Sequence, residues 1–360
     1  MSFFSGLFKK KDTESVVLID VNADSVAGAY AYYEKGQLPV LLYTRRLPIE
    51  ARASEPKERG MLRALQLLGE TLLHEGGSAL VRATGSGRVD RILVSIDAPW
   101  QKTSIRTEYF EQKTPFVFTK RLMSAALEKA AIVPPDKLLA DESIIGTILN
   151  GYETHDPYGK QTLRASIVIL TSLIDEQVVK SICSILRSLY RVGEIVSIAG
   201  SSLHYQAMRI VFPHERDALI LDANGLSTSI ALVRRELLVD LIEATVSAAD
   251  ISAWRQKISS ECARLSEKFP LPRTIFLLAP ESRVSALREA LDTANLRGLW
   301  LSDNPPKIIS VLANYAGGFV RQALEASPDI LLLLMALFYQ VKKKRGEVMH
   351  KGYGPDCFIN

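Results

Sequence analysis

The sequence predicts an α/β protein made of two like halves, and three observations carry that prediction. Two distant segments, residues 16–26 and 218–233, share one pattern: an apolar run ending in Asp, a tight Asn-containing turn and a second apolar run. Each is followed by a stretch with apolar residues at helical spacing and then by another short apolar strand. The chain of 360 residues is also long enough for about two domains at ~150 residues each.

The first half opens with the hairpin whose first strand, Val16-Val17-Leu18-Ile19, ends at Asp20. Runs rich in Val, Ile and Leu separated by Asn, Asp or Gly read as buried strands joined by a turn. A turn at Glu34-Lys35-Gly36 leads to a third strand near 38–44. Residues 58–74 read as a helix, because Met61, Leu62, Leu65, Leu68 and Leu72 recur on one face, and Gly76-Gly77-Ser78 is expected to end it. A central strand follows at 91–96, so residues 15–118 give the order β-β-β-α-β.

The middle block holds a helix at 119–131 bounded by Pro134-Pro135, strand material through 143–153, a strand at 163–171, a helix at 175–189 and a strand at 193–197. The second half then repeats the first. It has a hairpin at 218–240, a helix around 247–268, a strand at 274–278, a helix around 284–294 and a helical region from 307. Residues 330–341 form the most apolar stretch, too short for the ~20 residues a membrane span needs. It reads as a buried core helix capped by Ser327, with Pro328 in its first turn and Lys342-Lys343-Lys344-Arg345 at its end.

Composition excludes several classes. A net charge of +4 without a long basic stripe does not point to nucleic acid. Cys183, Cys262 and Cys357 are scattered, as in a reducing cytoplasm, with Cys183 read as a core residue on a helix. The five histidines form no cluster in sequence, so neither a zinc site nor a Ser-His-Asp triad is expected. Residues 1–11 place Phe3, Phe4, Leu7 and Phe8 beside Lys9-Lys10-Lys11. That segment reads either as an interfacial foothold on an anionic membrane or as a solvated tail.

The chemistry centres on the two Asp turns. A carboxylate where a strand opens into a turn, beside outward-pointing N–H groups, can hold a hydrated Mg²⁺ against nucleotide phosphates. It can equally cap its own turn through an Asx interaction. Asp20 and Asp222 are the candidate metal residues. Asn22, Asp24 and Ser25 in the first turn, with Asn224, Gly225, Ser227 and Thr228 in the second, are candidate nucleotide contacts or local turn formers. Hydrolysis further needs a residue that orients water. Glu142 and Glu243 are carboxylates available for that, and each also reads as a solvated surface residue, so no catalytic residue is assigned. Tyr30 and Tyr32 share one strand face, beside Tyr33, and read as an aromatic docking groove or as core. Trp100, Trp254 and Trp300 read as packing residues.

Paired turns facing each other from two halves resemble the phosphate loops of the actin, heat-shock chaperone and sugar-kinase fold. The second loop there usually reads Asp-Ile-Gly-Gly-Gly-Thr-Thr-Asp-Ile, and Asp222 to Ile230 stand at the matching positions. The middle block resembles the SHS2-type subdomain of the FtsA/PilM type of actin-like ATPases, through Asn150-Gly151-Tyr152, Pro157-Tyr158-Gly159 and Leu163-Arg164-Ala165. Residues 198–205 resemble the helix leading back into the actin-like body. The resemblance implies duplicated actin-like (ribonuclease H-like) domains with an SHS2-type insertion. The implied division is a tail at 1–14, the first half at 15–118, the insertion at 119–198, the second half at 199–345 and a tail at 346–360.

The resemblance implies ATP and Mg²⁺ as cofactors, the Mg²⁺ held through water by Asp20 and Asp222. The glycines that let backbone approach phosphate are replaced by Asn22, Asn224 and Leu226. Asn keeps a left-handed turn accessible, whereas Leu adds bulk. Ala279-Pro280-Glu281-Ser282 stands where the family has a Gly-Gly turn against adenosine, and Gly317-Gly318 reads as a kink or packing contact in a helix. ATP binding is therefore expected to be weak or absent. The implied function is a cytoplasmic, inner-membrane-associated scaffold of a type IV pilus-like platform, engaging the short cytoplasmic tail of a membrane protein and self-associating. The alternatives are an ATP-binding, filament-forming cell-division protein that tethers to the membrane, and a sugar or acetate kinase, which lacks an acceptor-activating Asp here.

Overall fold

A computed structural model describes residues 13–345, apart from 51, 130–132, 155, 269, 295, 297 and 301–303. The segment 1–11 and Cys357 lie outside the described residues. Three strands, β1 (Thr13–Val21), β2 (Ser25–Glu34) and β3 (Val40–Pro48), form an antiparallel meander. After α1 (Lys57–Thr71), a π turn (Leu72–Gly76) and α2 (Gly77–Thr84), the chain returns as β4 (Arg91–Ile96), parallel to β1. The middle block supplies β5 (Gln101–Val117), α3 (Lys120–Glu128), β6 (Lys137–Leu149), β7 (Tyr152–Glu153), β8 (Gln161–Asp175) and α4 (Glu176–Tyr190). Then β9 (Ile195–Ala199) completes the first sheet and α5 (Gly200–Val211) crosses to the second half.

The second half repeats the plan with β10 (Ala218–Asp222), β11 (Thr228–Arg234), β12 (Leu237–Ala244), α6 (Ile251–Ser266), β13 (Thr274–Leu278), α7 (Glu281–Asp292) and β14 (Lys307–Ser310). A 3₁₀ turn (Ala313–Ala316), β15 (Arg321–Gln322) and α8 (Ile330–Arg345) follow. The strand orders are β15-β3-β2-β1-β4-β9 and β12-β11-β10-β13-β14. Without edge strand β15 the two orders are the same, so β1 and β10 are equivalent central strands.

The sheets face each other across α5 and α8. Because α8 is apolar on every side, with Leu331 to Tyr339 buried, it can only lie between two apolar layers. Alternation along β2 turns Ala27, Ala29, Ala31 and Tyr33 toward it, and the three alanines let the helix come close. The outer face of the first sheet packs on α1 and α4, and that of the second on α6 and α7. Trp100, Trp254, Cys183 and Trp300 are buried in these layers, as expected.

Five expectations are corrected. Gly76-Gly77-Ser78 does not end the first helix, which runs through the π turn into α2. A Cβ on Gly76 would lie 2.7 Å from the Tyr43 ring, so glycine serves close packing there rather than a stop. The region from 307 does not begin as a helix. Ile308 and Ile309 pair in parallel with β13, the β-branched residues suiting a strand, and helix resumes only at α8. Gly317-Gly318 accordingly follows the 3₁₀ turn. The cap of α8 is Asp329, whose Oδ1 accepts from the N–H groups of Leu331 (3.1 Å) and Leu332 (3.2 Å), while the Ser327 carbonyl accepts from Thr44. Residues 101–117, read with the first half, pair as β5 with β8 in a separate sheet of order β5-β8-β6-β7.

Candidate functional site

Asp20, next to last in β1, and Asp222, last in β10, close the two central strands, so the fold brings their turns to one cleft between the halves. In each turn the Asn two residues on donates its side-chain N–H to the Asp: Asn22 to Asp20 Oδ2 at 2.7 Å, Asn224 to Asp222 Oδ1 at 2.8 Å. Neither Asn is among the described residues with positive φ, which corrects the expectation of a left-handed turn. The Asn residues act as donors to a carboxylate. The turns nearly meet, since a Cβ on Gly225 would lie 3.7 Å from Asn22 Oδ1.

The two carboxylates have different cationic partners. Asp20 is fully buried, and Arg46 of β3 donates from Nη2 to its Oδ2 at 3.0 Å. The same guanidinium donates to Ser25 Oγ at 3.0 Å and to Asp329 Oδ2 at 2.8 Å, tying β1, β3 and the start of α8 together. Burial raises the Asp20 pKa, and the Arg46 charge opposes this. Asp24 accepts from Ser25 Oγ at 3.2 Å.

Asp222 Oδ2 lies 2.7 Å from Nδ1 of the buried His204, one turn into α5. Burial works to lower the His204 pKa, but Asp222, Asp97 and Asp20 prevail and raise it to about 9. Burial works to raise that of Asp222, yet His204 and Asn224 hold it below the ordinary value. Asp97, just past β4, completes the group. A Cβ on Gly200 would lie 2.1 Å from Asp97 Oδ1, so only glycine lets α5 start against this carboxylate. Burial, reinforced by Asp20, Asp222 and Glu243, pushes Asp97 well above the carboxylate range.

Glu243 of β12 accepts from Gln101 Nε2 at 3.1 Å, and burial pushes its pKa up to about 7. It is thus a half-buried cleft residue rather than a solvated one, whereas Glu142 lies 3.8 Å from Arg106 in the inserted block. A space of ≈ 20 Å³, little more than one water, lies among Asn22, Asp97, Asp222, Gly225, Ser227 and Glu243. A larger cleft of ≈ 410 Å³ opens beside it, lined by Asp24, Ser25, Arg46, Asn224, Glu281 and Asp329 among others.

Thr228 turns away from the cleft, buried, with Oγ1 accepting from Trp254 Nε1 at 2.9 Å. Tyr30 and Tyr33 are both core: Tyr33 donates to the Ala336 carbonyl at 3.2 Å, and Tyr30 packs edge-on to Tyr190. The three titratable side chains that bring one ligand atom each within 4.8 Å of the others are Asp20, Asp97 and His204. Asp222 is outside that group, and a histidine unexpected from sequence spacing is within it. Arg46, Asp97 and His204 were therefore the residues that sequence reasoning missed. Only their types gave a signal, as a basic residue and an Asp at strand ends and a lone His in an apolar helix.

These residues do not fit a Mg²⁺-bridged triphosphate. Asp20 Oδ2 is taken by Asn22 and Arg46, and both Asp222 oxygens face Asn224 and His204. Leu226 replaces a phosphate-loop glycine, and Pro280, which precedes α7, lines the cleft with Glu281 where the resemblance expects a flat Gly-Gly turn. Phosphates in the larger cleft would face Asp24, Glu281 and Asp329 as well as Arg46 and Arg283.

Two equivalent five-strand units clasping α5 and α8, with Asp turns meeting in the cleft, define the duplicated actin-like fold. In particular the fold is of the PilM type. A chain of a PilM-PilN type IV pilus biogenesis complex is similar to this one with a TM-score of 0.58 and 14% identity, over 90% of this chain and 98% of that chain. A Bacteroides thetaiotaomicron protein with actin-like ATPase fold and unknown function is similar at TM-score 0.43 and 11% identity, over 92% and 99%. An inorganic polyphosphate/ATP-glucomannokinase from Arthrobacter sp. strain KM gives TM-score 0.41 and 11% identity, over 91% and 99%. No protein-family model and no curated protein matches the sequence. Among the described residues no helix is long and apolar enough to cross a membrane.

Proposed function

We propose that this chain is a non-hydrolysing scaffold of actin-like fold that works at the cytoplasmic face of a membrane-associated assembly of the type IV pilus kind. It engages the short cytoplasmic tail of a membrane protein there and self-associates. The observation that carries the reading is the pairing of Asp20 with Arg46. A carboxylate that the fold places for a nucleotide's metal is neutralised instead by a guanidinium that also holds Ser25 and Asp329. The cleft's charge is thereby satisfied from within, and its role becomes structural, fixing the two halves relative to each other. The similarity in fold to a chain of the PilM-PilN complex over nearly its whole length supports the assembly role. The inserted subdomain is read as residues 101–175 on sheet membership.

The test has two arms on the full chain. Phosphate release from MgATP is expected at the buffer's background rate, and release that scales with protein concentration overturns the reading. Crosslinking in cells followed by purification from the membrane fraction is expected to recover a single-span membrane protein joined through its cytoplasmic tail. Recovery of soluble partners only contradicts the scaffold role.

A further inference from the structure

We propose that Asp20, Asp97 and His204 form a binding site for a first-row divalent cation that needs no nucleotide. This goes beyond the scaffold reading and does not depend on it. Each of the three side chains presents one ligand atom, all within 4.8 Å of one another. Bond lengths of ~2.0–2.2 Å place tetrahedral ligand atoms about 3.4 Å apart, so the set closes on an ion by side-chain shifts of up to about 1 Å.

Unpartnered atoms point to the ligand independently of this spacing. Asp20 is 0% exposed and His204 2% exposed, yet Asp20 Oδ1 and His204 Nε2 have no hydrogen-bond partner, nor does Asp97 Oδ2. Buried polar atoms are almost always paired, so unpartnered atoms on each of the three side chains call for a partner. The donor set gives the sign: two carboxylates and an imidazole are ligands for a cation, with Asp222 behind the imidazole.

The surroundings have the form of an outer coordination shell. A metal-bound histidine usually presents its other ring nitrogen to a carboxylate, which fixes the ring and makes the ligand nitrogen more basic. His204 Nδ1 faces Asp222 Oδ2 at 2.7 Å, leaving Nε2 for the ion. Asp20 is held the same way, its Oδ2 anchored by Asn22 and Arg46 so that Oδ1 remains. The adjoining ≈ 20 Å³ space has room for a water as a further ligand. One imidazole with two carboxylates favours Zn²⁺ or Mn²⁺ over Mg²⁺, which prefers oxygen and water.

The test is calorimetric titration of the chelator-treated full chain with Zn²⁺ in the absence of nucleotide. One Zn²⁺ per chain is expected, lost in Asp97→Asn and in His204→Gln, and weakened about 10- to 100-fold in Asp222→Asn. Melting curves of the metal-free variants establish that they are folded. The Co²⁺ spectrum of the unmutated chain, which needs no variant, should show nitrogen and oxygen ligation without a thiolate band. Absence of stoichiometric binding, binding unchanged in both ligand variants, or a thiolate band overturns the proposal. None of these results alters phosphate release from MgATP, so failure here is distinct from failure of the scaffold reading.

Discussion

The Asp20 turn and the Asp222 turn are equivalent places in a duplicated structure, and they keep one device in common. In both, an Asn two residues on holds the Asp by its side-chain amide. Beyond that they diverge: the first carboxylate recruits Arg46 from a strand of its own sheet, the second recruits His204 from the crossover helix α5. Backbone geometry has been retained while the partner has changed, and the two partners differ in kind. A guanidinium stays charged across the accessible pH range, whereas an imidazole titrates within it. The first turn is thus a fixed clamp and the second a titratable one.

Breaking the fixed clamp should have the largest effect. Arg46→Ala leaves Asp20 buried without its cation and frees Asp329, and removing one partner of such a pair costs about 3–5 kcal/mol. Urea denaturation at neutral pH measures it, and a cost below ~1 kcal/mol would show that Arg46 is incidental.

The titratable clamp should come next, with a pH signature the first lacks. His204 has its pKa raised from 6.5 to about 9 in the folded protein. Its contribution, on the order of 3 kcal/mol, is therefore complete below pH ~6.5 and lost as pH rises through ~9. In the metal-free chain, the stability difference between wild type and His204→Gln should shrink over that window, while the Arg46→Ala difference stays level. A His204 difference that is flat with pH would remove the distinction between the turns.

The shared device should matter less again. Asn22→Ala and Asn224→Ala each delete a hydrogen bond to a carboxylate, a loss of ~1.5–3 kcal/mol, with Asn22 at the upper end because its Asp is the more buried. Smaller still is Gly225→Ala. Its φ is not positive and the nearest atom to a Cβ is 3.7 Å away, so stability should stay within ~0.5 kcal/mol. A larger loss would mean that the turns touch more tightly than described.

What was legible in the sequence follows from range. The Asp turns, the repeated strand order and the buried apolar helix before Lys342 are local patterns, each written within one or two elements. The partners of the Asp residues are not. Arg46 reaches Asp20 through β2–β3 pairing, Asp97 through the parallel alignment of β4 with β1, and His204 through a helix whose position depends on both halves. Asn22 and Asn224 were rightly placed in the turns, but the favoured explanation, backbone conformation, was less important than their side-chain donors. The helix expected from 307 failed for a similar reason, because pairing with β13 decides the fate of Ile308 and Ile309.

The most direct test of the central claim, that side-chain cations have taken over the charge balance of the nucleotide cleft, is calorimetric titration of the full chain with MgATP. Self-satisfied carboxylates predict no saturable heat, corresponding to a Kd weaker than ~1 mM. One-site binding with a Kd of ~1 μM would contradict it, because Asp20 would then have to release Arg46 to the incoming phosphates.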